Sequence, residues 1–430
     1  MRPPLRIETL TRVEGHGSIT VEYDGDRAVD ARFDISEGIR LFESILRRRS
    51  YEDIPPFISR VCAICSAAHT LTALKAIERA FEVRVSEQTE DLRELLMTGG
   101  NIASHALHIF FLVLPDYLGV PGSLALAESH PELLRVALRL KAVGNALQET
   151  IGGRAVHPVR AVPGGFSSYP DFEDLVELQA RIEEGLRDAR TALDFLAGLP
   201  DPEPLAVSDA FLALRSPSGR GYYAGDQIVV QRQADVRLVP IGDYRRFIKE
   251  DAPTHSHAKH SSVDGRAFMV GALARLETRA RPHDGLAERA MNSLGLRRPF
   301  GNPFDNNKAQ IVELAGDLER ARHLVRRFMD EGIETEPPAA IRPRAASGTA
   351  GVEAPRGLLV HSYQFDEAGV VTAADVITPT AMNAGSIEEK MREAIARTPR
   401  APEGEMRARL EMLVRAYDPC ISCSVHSIRI

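Results

Sequence analysis

The four cysteines of this chain fall in two Cys-x-x-Cys pairs near opposite ends of the sequence, Cys62/Cys65 and Cys420/Cys423. Two thiolates spaced by two residues can bind one ion, and two such pairs can build a four-thiolate site for a soft or borderline metal. Zinc ribbons place their second pair about 15–20 residues after the first, whereas more than 350 residues separate these pairs. A common site therefore requires the two ends of the chain to meet over a core built from the residues between them.

Composition and charge favour one large folded unit and exclude some classes of function. With 44% hydrophobic and 26% charged residues, the chain can bury a large core, and the joined ends predict a single domain over residues 1–430. A net charge of −7 gives no support for nucleic-acid binding. Thiols confined to Cys-x-x-Cys pairs suit metal binding in a reducing compartment better than disulfides.

Neither a membrane anchor nor an export signal is evident in the sequence. The apolar segment Ile109–Leu114 is too short to span a bilayer and is followed by Pro115 and Asp116. The segment Met1–Leu5 lacks the apolar stretch of a signal peptide. We therefore predict a cytoplasmic protein with no direct membrane span.

The periodicity of apolar residues predicts a mainly helical α+β fold. Residues 5–36 alternate apolar and polar positions around the turn Asp24–Asp26 and predict a β-hairpin, and residues 218–247 also favour strands. Helical spacing predicts a short helix over 37–49 and long helices that form a central bundle. The long helices are predicted over 87–113, 130–150, 171–198 and 308–332. Small β-sheets are expected at the periphery, with the N- and C-terminal segments meeting at a buried metal site.

Each cysteine pair lies within a longer motif. The first motif is Arg60–Cys65, followed by His69, and the second is Asp418–Cys423, followed by His426. Together they resemble the two signatures of the nickel-iron hydrogenase large subunit, and the resemblance extends over nearly the whole chain. One departure is Ala63, where the family usually has glycine.

The resemblance implies a nickel-iron centre held by the four cysteines. Cys62 and Cys420 would be terminal ligands of nickel, while Cys65 and Cys423 would bridge to iron. The iron would carry carbon monoxide and cyanide, which maturation enzymes supply.

Further binding residues follow from the same resemblance. A magnesium ion, which prefers oxygen ligands, would be bound by Glu43, by His426 and by the backbone carbonyl of Val376. Thr380 would contact an iron cyanide through its hydroxyl, and Pro355 is also assigned to cofactor binding.

Proton transfer is the other role that the resemblance assigns to particular residues. Cys420 would act as the base that takes a proton from dihydrogen and would hand it to Glu14. Arg356 would position or polarise hydrogen, Asp418 would steady the pocket electrostatically, and His69 would hydrogen-bond a bridging sulfur. Without the resemblance, a glutamate beside a turn is most simply interpreted as a solvated side chain.

Two groups of histidines permit a metal site by spacing alone. His105 and His108 share one face of a predicted helix, where packing and hydrogen bonding are the simpler interpretation. His255, His257 and His260 lie in a polar loop. Because no partner motif accompanies them, the sequence favours a loop without a metal.

The chain requires partners for electron transfer and for maturation. All four cysteines are used by the metal site, so an iron-sulfur small subunit is required, and no Gly-x-Gly-x-x-Gly or Walker pattern offers a nucleotide site. The resemblance is strongest to the soluble NAD(P)-linked, multisubunit branch, which implies diaphorase-type flavin and iron-sulfur subunits. It also implies nickel-insertion proteins and a maturation protease that removes the tail Ser427–Ile430.

The predicted function is reversible heterolytic cleavage of dihydrogen into protons and electrons, with the electrons passed to the small subunit. Two alternatives stay open from the sequence. A structural zinc protein would explain the four cysteines but not Glu14, Glu43 and Arg356 in their places. A respiratory-complex subunit of the same fold typically lacks the cysteines.

Overall fold

Long helices occupy the middle of the molecule in the computed structural model, which describes residues 3–206, 210–216, 221–278 and 285–425. The helices are, in chain order, α1 (Phe42–Leu46), α2 (Ile54–Ile58), α3 (Ser66–Ala80), α4 (Glu87–Leu107), α5 (Leu114–Tyr117), α6 (Ser123–Ser129), α7 (Pro131–Gly152), α8 (Phe172–Leu196), α9 (Tyr244–Phe247), α10 (Ala272–Thr278), α11 (Gly285–Ser293), α12 (Asp305–Glu331), α13 (Pro379–Arg397), α14 (Glu403–Ala416) and α15 (Ile421–Ser424). A π-helical segment, His108–Val113, joins α4 to α5.

Small antiparallel sheets surround these helices. The strands are β1 (Leu5–Ile7), β2 (Gly17–Asp24), β3 (Arg27–Ile35), β4 (Ala161–Val162), β5 (Gly165–Phe166), β6 (Phe211–Arg215), β7 (Gln227–Arg232), β8 (Asp235–Pro240), β9 (Ile248–Asp251), β10 (His260–Val263), β11 (Ala346–Ala354), β12 (Gly357–Phe365) and β13 (Val371–Ile377). They pair in the orders β1-β2-β3, β4-β5, β6-β7-β8, β10-β9 and β11-β12-β13. The predicted α+β class, mainly helical with peripheral sheets, is confirmed.

The central helices pack at close range because glycines face each other where α4 crosses α7. A Cβ atom on Gly144 would lie 2.4 Å from the backbone nitrogen of Ala103 and 2.6 Å from the carbonyl oxygen of Gly99. The apolar stripe of α12 is buried against α4 and α8, and includes Leu314 and Leu318. Burial of such stripes supplies most of the stability of the bundle.

The short helix predicted over 37–49 is limited to α1. Leu41 has a φ of 53°, in the left-handed region, and Arg47 is extended, so the backbone leaves helical geometry on both sides of the helix. The hairpin predicted over 5–36 forms as β2 and β3, with Gly25 at a φ of 62° in the turn.

One continuous helical stretch, Glu87–Tyr117, is long and apolar enough to cross a membrane by length and composition, contrary to the expectation from Ile109–Leu114 alone. Within the most apolar part of this stretch, 83% is buried inside the protein. Its apolar character is therefore accounted for by its place in the core.

The two ends of the chain meet beside the bundle. The segment before β2 pairs in parallel with the segment before α15 through Glu14 and Cys420, and the N–H of Ile421 donates to the carbonyl of Glu14 (3.0 Å). Arg40 donates to the carbonyls of Val61 (2.5 Å) and Ser422, so one side chain joins the two cysteine segments.

Candidate metal centre

The four cysteine sulfurs lie together in the interior. Cys65 immediately precedes α3 and Cys420 immediately precedes α15, so each pair sits at the start of a helix. The Sγ atoms of Cys62 and Cys420 are 3.3 Å apart, as are those of Cys65 and Cys423, and all four lie within 4.8 Å of one another. These separations exceed the disulfide length of about 2.05 Å and suit four ligands directed at one centre.

The proximity of the thiols perturbs their acidity in opposite directions. Hydrogen bonds from Cys420, Cys423 and Cys65 lower the pKa of Cys62, whereas burial and the neighbouring thiols raise the pKa of Cys423. Four buried thiolates cannot be ionised together without a compensating cation. The donor set therefore fits a soft or borderline metal centre of high positive charge.

Arg356 projects from the turn between β11 and β12 over this cluster and is 4% exposed. Its Nε donates to the carbonyl (2.8 Å) and to Oδ1 (2.9 Å) of Asp418. Its Nη2 is ion-paired with the same Oδ1 (2.9 Å), but neither Nη atom makes a directed hydrogen bond to a described residue. Burial opposes its charge, but Asp418 and then the sulfurs of Cys420, Cys62 and Cys65 outweigh burial and raise the pKa of Arg356. A buried guanidinium with unused donors fits a site that holds a further group.

A small cavity of about 10 Å³, the size of a single water-sized site, adjoins both Arg356 and the sulfurs. It is lined by Cys65, His69, Ala354, Arg356, Leu359, Pro379, Thr380, Cys420 and Cys423. The Oγ1 of Thr380 accepts the N–H of Cys420 (2.9 Å), which leaves its hydroxyl proton for another acceptor. Pro355 is not among the lining residues, and its carbonyl instead accepts from Arg275 (2.9 Å).

Glu14 contacts the sulfur of Cys420. Its Oε2 accepts from the Sγ of Cys420 (3.2 Å) and from the N–H of Ser422 (3.1 Å), and its Oε1 accepts from the hydroxyl of Ser422. Burial, together with Cys420, raises the pKa of Glu14 to about 7. Such a carboxyl group can take up and release a proton near neutral pH.

His69 begins a chain of hydrogen bonds that leads away from the sulfurs. Its Nε2 is 3.7 Å from the Sγ of Cys423, its Nδ1 is 3.1 Å from the Nε2 of His361, and the Nδ1 of His361 is 2.8 Å from the hydroxyl of Tyr363. The sequence interpretation assigned no role to His361 or Tyr363. Their spacing by two residues on β12 places them on one face of the strand, which was the available signal.

The residues predicted to bind magnesium are partly described. The N–H of Val376 donates to Oε1 of Glu43 (2.9 Å), which places these two residues side by side. His426 lies outside the described residues, as does the tail Ser427–Ile430.

Residues that the sequence did not single out also support Asp418. The Nε2 of Gln310 donates to Oδ2 of Asp418 (3.0 Å), and Oε1 of Gln310 contacts Nδ1 of His108 (2.5 Å). His105 bonds to Glu313 (2.9 Å). His105 and His108 are therefore hydrogen-bonded core histidines, as expected.

This chain is similar in sequence and structure to known proteins. Residues 40–135 and 313–426 match the model of the nickel-dependent hydrogenase family, and residues 4–37 match a HoxL-like model. The alpha subunits of sulfhydrogenases 2 and 1 of Pyrococcus furiosus are 36% and 37% identical; the matches cover 99% of this chain and 100% and 99% of the relatives. A crystal structure of an NAD+-reducing NiFe hydrogenase in the H2-reduced state is similar with a TM-score of 0.87 and 25% identity, over 99% of this chain and 100% of that chain.

Proposed function

This chain belongs to the nickel-dependent hydrogenase family as the catalytic large subunit, and we propose which of its residues carry the cleavage of dihydrogen. The relatives match it from end to end, so the alternatives of a structural zinc protein and of a non-hydrogenase respiratory subunit are not supported. Cys62, Cys65, Cys420 and Cys423 would hold the nickel-iron centre. When bound, that centre polarises dihydrogen and receives its electrons.

The proton leaves through Cys420 and Glu14. The Sγ of Cys420 accepts it as a polarisable base, and the carboxylate of Glu14 lies 3.2 Å away in hydrogen-bond contact. The pKa of about 7 lets Glu14 return to its ionised form after each transfer. The two donors of Ser422 keep the carboxylate directed at the sulfur.

Arg356 and Thr380 shape the open side of the cavity. The unused Nη donors of Arg356 orient dihydrogen toward Cys420, and Asp418 holds the guanidinium in place through Nε. The carbon monoxide and cyanide that the family's iron carries would be received by the hydroxyl of Thr380 and by the turn that contains Pro355.

Magnesium is the second cation of the proposed enzyme. The side chain of Glu43, the carbonyl of Val376 and His426 would bind it. The contact between the N–H of Val376 and Oε1 of Glu43 (2.9 Å) supports a common site for the first two. We further propose that a maturation protease removes Ser427–Ile430 after nickel-insertion proteins have loaded the site. Intact-mass analysis is expected to show that the active protein lacks these four residues.

The chain works with partner subunits, as the name of its sulfhydrogenase relatives implies. An iron-sulfur small subunit receives the electrons, because this chain has no cysteines beyond the four at the metal centre. Diaphorase-type flavin and iron-sulfur subunits pass them to NAD(P), as the likeness to an NAD+-reducing enzyme supports. The complex acts in the cytoplasm.

The observation that carries this proposal is the burial of four sulfurs from both ends of the chain beside Glu14 and Arg356. Infrared spectroscopy of the purified complex, combined with metal analysis, tests it. We expect bands from iron-bound carbon monoxide and cyanide together with nickel. Zinc in place of nickel, with no such bands, would contradict the proposal.

A further inference from the structure

A second cluster of metal-ligating side chains lies away from the cysteines. His255, from the loop between β9 and β10, and His260, the first residue of β10, meet Glu388 on α13. One ligand atom from each of the three residues lies within 4.8 Å of the others. This juxtaposition joins two parts of the chain that are more than 120 residues apart in sequence.

The contacts within the cluster leave a ligand position unused. The Nε2 of His255 is 2.7 Å from Oε1 of Glu388. The Nε2 of His260 is buried and has no hydrogen-bond partner among the described residues, although a buried imidazole nitrogen normally has one. A bound cation would supply the partner that His260 lacks.

The carboxylate of Glu388 is held in a fixed orientation and is 5% exposed. The N–H of Phe33 donates to Oε1 (3.1 Å), and Nη2 of Arg392 donates to Oε2 (3.0 Å). Arg392 brings a positive charge to the cluster, but its Nε is paired with Asp30 (2.7 Å) and its side chain is half exposed. Arg32 also pairs with Asp30 (3.4 Å), so the preference of this cluster for a cation rests on its ligand atoms and on Nε2 of His260, unpartnered within the described part of the chain, rather than on a net negative charge.

We propose that His255, His260 and Glu388 form a binding site for a divalent transition-metal ion of the zinc type. Two imidazole nitrogens and one carboxylate oxygen are a zinc ligand set, with ligand distances of about 2.0–2.2 Å and water as the fourth ligand. The hydrogen bond between His255 and Glu388 gives way to coordination of both groups by the ion. His257 takes no part, because its Nδ1 is 2.9 Å from the carbonyl of Glu37.

The site links the β9–β10 hairpin to α13. The N-terminal turn of α13 carries Thr380, whose hydroxyl accepts the N–H of Cys420. The ion therefore stabilises the helix that frames the nickel-iron cavity, without contact to the reacting atoms.

The test uses the nickel-loaded complex, so that zinc cannot occupy the four thiolates, and keeps magnesium in excess. Zinc content and melting temperature are measured after addition of Zn²⁺ and again after a chelator selective for zinc over magnesium. The variants are His260→Ala and Glu388→Gln, with His257→Ala as the matched control from the same loop. Glu388→Gln keeps the acceptor for Phe33, so it tests the ion without removing that contact.

After addition of Zn²⁺, we expect the parent protein and His257→Ala each to bind one more zinc ion than they hold after chelation. Both should then melt several degrees higher than in the chelator. His260→Ala and Glu388→Gln should lose both responses. Glu388→Gln should also melt lower than the parent in chelator, because its amide NH2 cannot accept from Arg392, so the difference in melting temperature with and without zinc is the quantity compared. If His260→Ala does not fold, the zinc content of Glu388→Gln tests the proposal. Zinc retention by Glu388→Gln at the level of the parent, or no zinc response in the parent, would overturn the proposal.

Discussion

Glu14 shows how one side chain acquires its chemistry from two distant segments. It comes from the segment before β2, yet its carboxylate is surrounded by Cys420 and Ser422 from the other end of the chain. Burial against these groups raises its pKa to about 7. A glutamate of ordinary acidity would hold a proton too weakly to exchange it efficiently with a thiol.

The replacement Glu14→Gln is expected to lower dihydrogen oxidation by about 100-fold or more, because glutamine keeps the shape but cannot carry the proton. Nickel and iron content should stay unchanged. Deuterium–proton exchange together with dye reduction measures the effect, and Glu22→Gln on β2 is the control. Full activity of Glu14→Gln would remove Glu14 from the proton path.

Glu353 and Glu313 share Arg275 but titrate differently. Arg275 donates to Glu353 (2.9 Å) and makes two bonds to Glu313 (2.6 Å each). Burial raises the pKa of Glu353 to about 7 despite Arg275; burial also opposes the charge of Glu313, but there Arg275 prevails and lowers the pKa to about 2. Arg275 also binds the carbonyl of Pro355, so this group positions the turn that presents Arg356.

The pKa of Glu353 predicts a pH-dependent stability. Between pH 4.5 and about 7 the folded state keeps a proton on Glu353 that the unfolded state has lost, so stability falls as pH rises, by at most about 1.4 kcal/mol per unit. Glu353→Gln should remove this contribution to the slope. Glu313 is ionised in both states over most of this range, so its own titration adds little to the slope and Glu313→Gln should mainly destabilise the protein. Because Glu313 helps to raise the pKa of Glu353, that variant should reduce the slope in part, and less than Glu353→Gln does. Denaturant unfolding at pH 5 and pH 7 measures both, and an unchanged slope in Glu353→Gln contradicts the prediction.

At the scale of elements, the spacing between α4 and α7 is set by glycine rather than by large apolar residues. Gly144 contacts the backbone of the facing helix, where a Cβ atom would lie 2.4 Å from the nitrogen of Ala103. Backbone atoms cannot move aside as a flexible side chain can. A methyl group there must push the helices apart and disturb the packing around them.

Gly144→Ala is therefore expected to destabilise the protein by about 1–3 kcal/mol, although alanine is the better helix former. A methyl group added at Gly404 in α14 would meet no atom within 4 Å, so Gly404→Ala should be neutral or slightly stabilising. Thermal unfolding of the two variants measures the difference. Equal melting temperatures would show that the crossing can relax.

Across the whole molecule, the metal centre joins the chain ends, while the bundle is built from the residues between them. Glu14, Arg40 and the four cysteines provide contacts between the terminal segments, beside others such as the bond from Arg415 to the carbonyl of Thr11. Without the metal, buried thiols with unequal acidity face one another. The terminal segments then lose the metal–thiolate bonds that join them, whereas α4, α7 and α12 lose no contact.

Protein produced without nickel is therefore expected to exchange amide hydrogens faster in residues 417–425 and 60–66 than the loaded protein. The α4–α7 pair should exchange at the same rate in both forms, which makes it the internal control. Hydrogen-exchange mass spectrometry measures both regions. Equal protection of the cysteine segments in both forms would show that the fold alone closes the site.

The sequence by itself determined the mainly helical class and the β2–β3 hairpin, because these depend on periodicity and turn residues. Short spacing likewise predicted that the two thiols of each Cys-x-x-Cys motif can reach one ion. Motifs of a known family also predicted Glu14, Arg356 and Asp418 as site residues. Only the tertiary structure decided which sulfur faces which, and that Gln310 supports Asp418. It likewise decided that Glu388 on α13 meets His255 and His260, because contacts between residues hundreds of positions apart arise from packing and leave no local pattern.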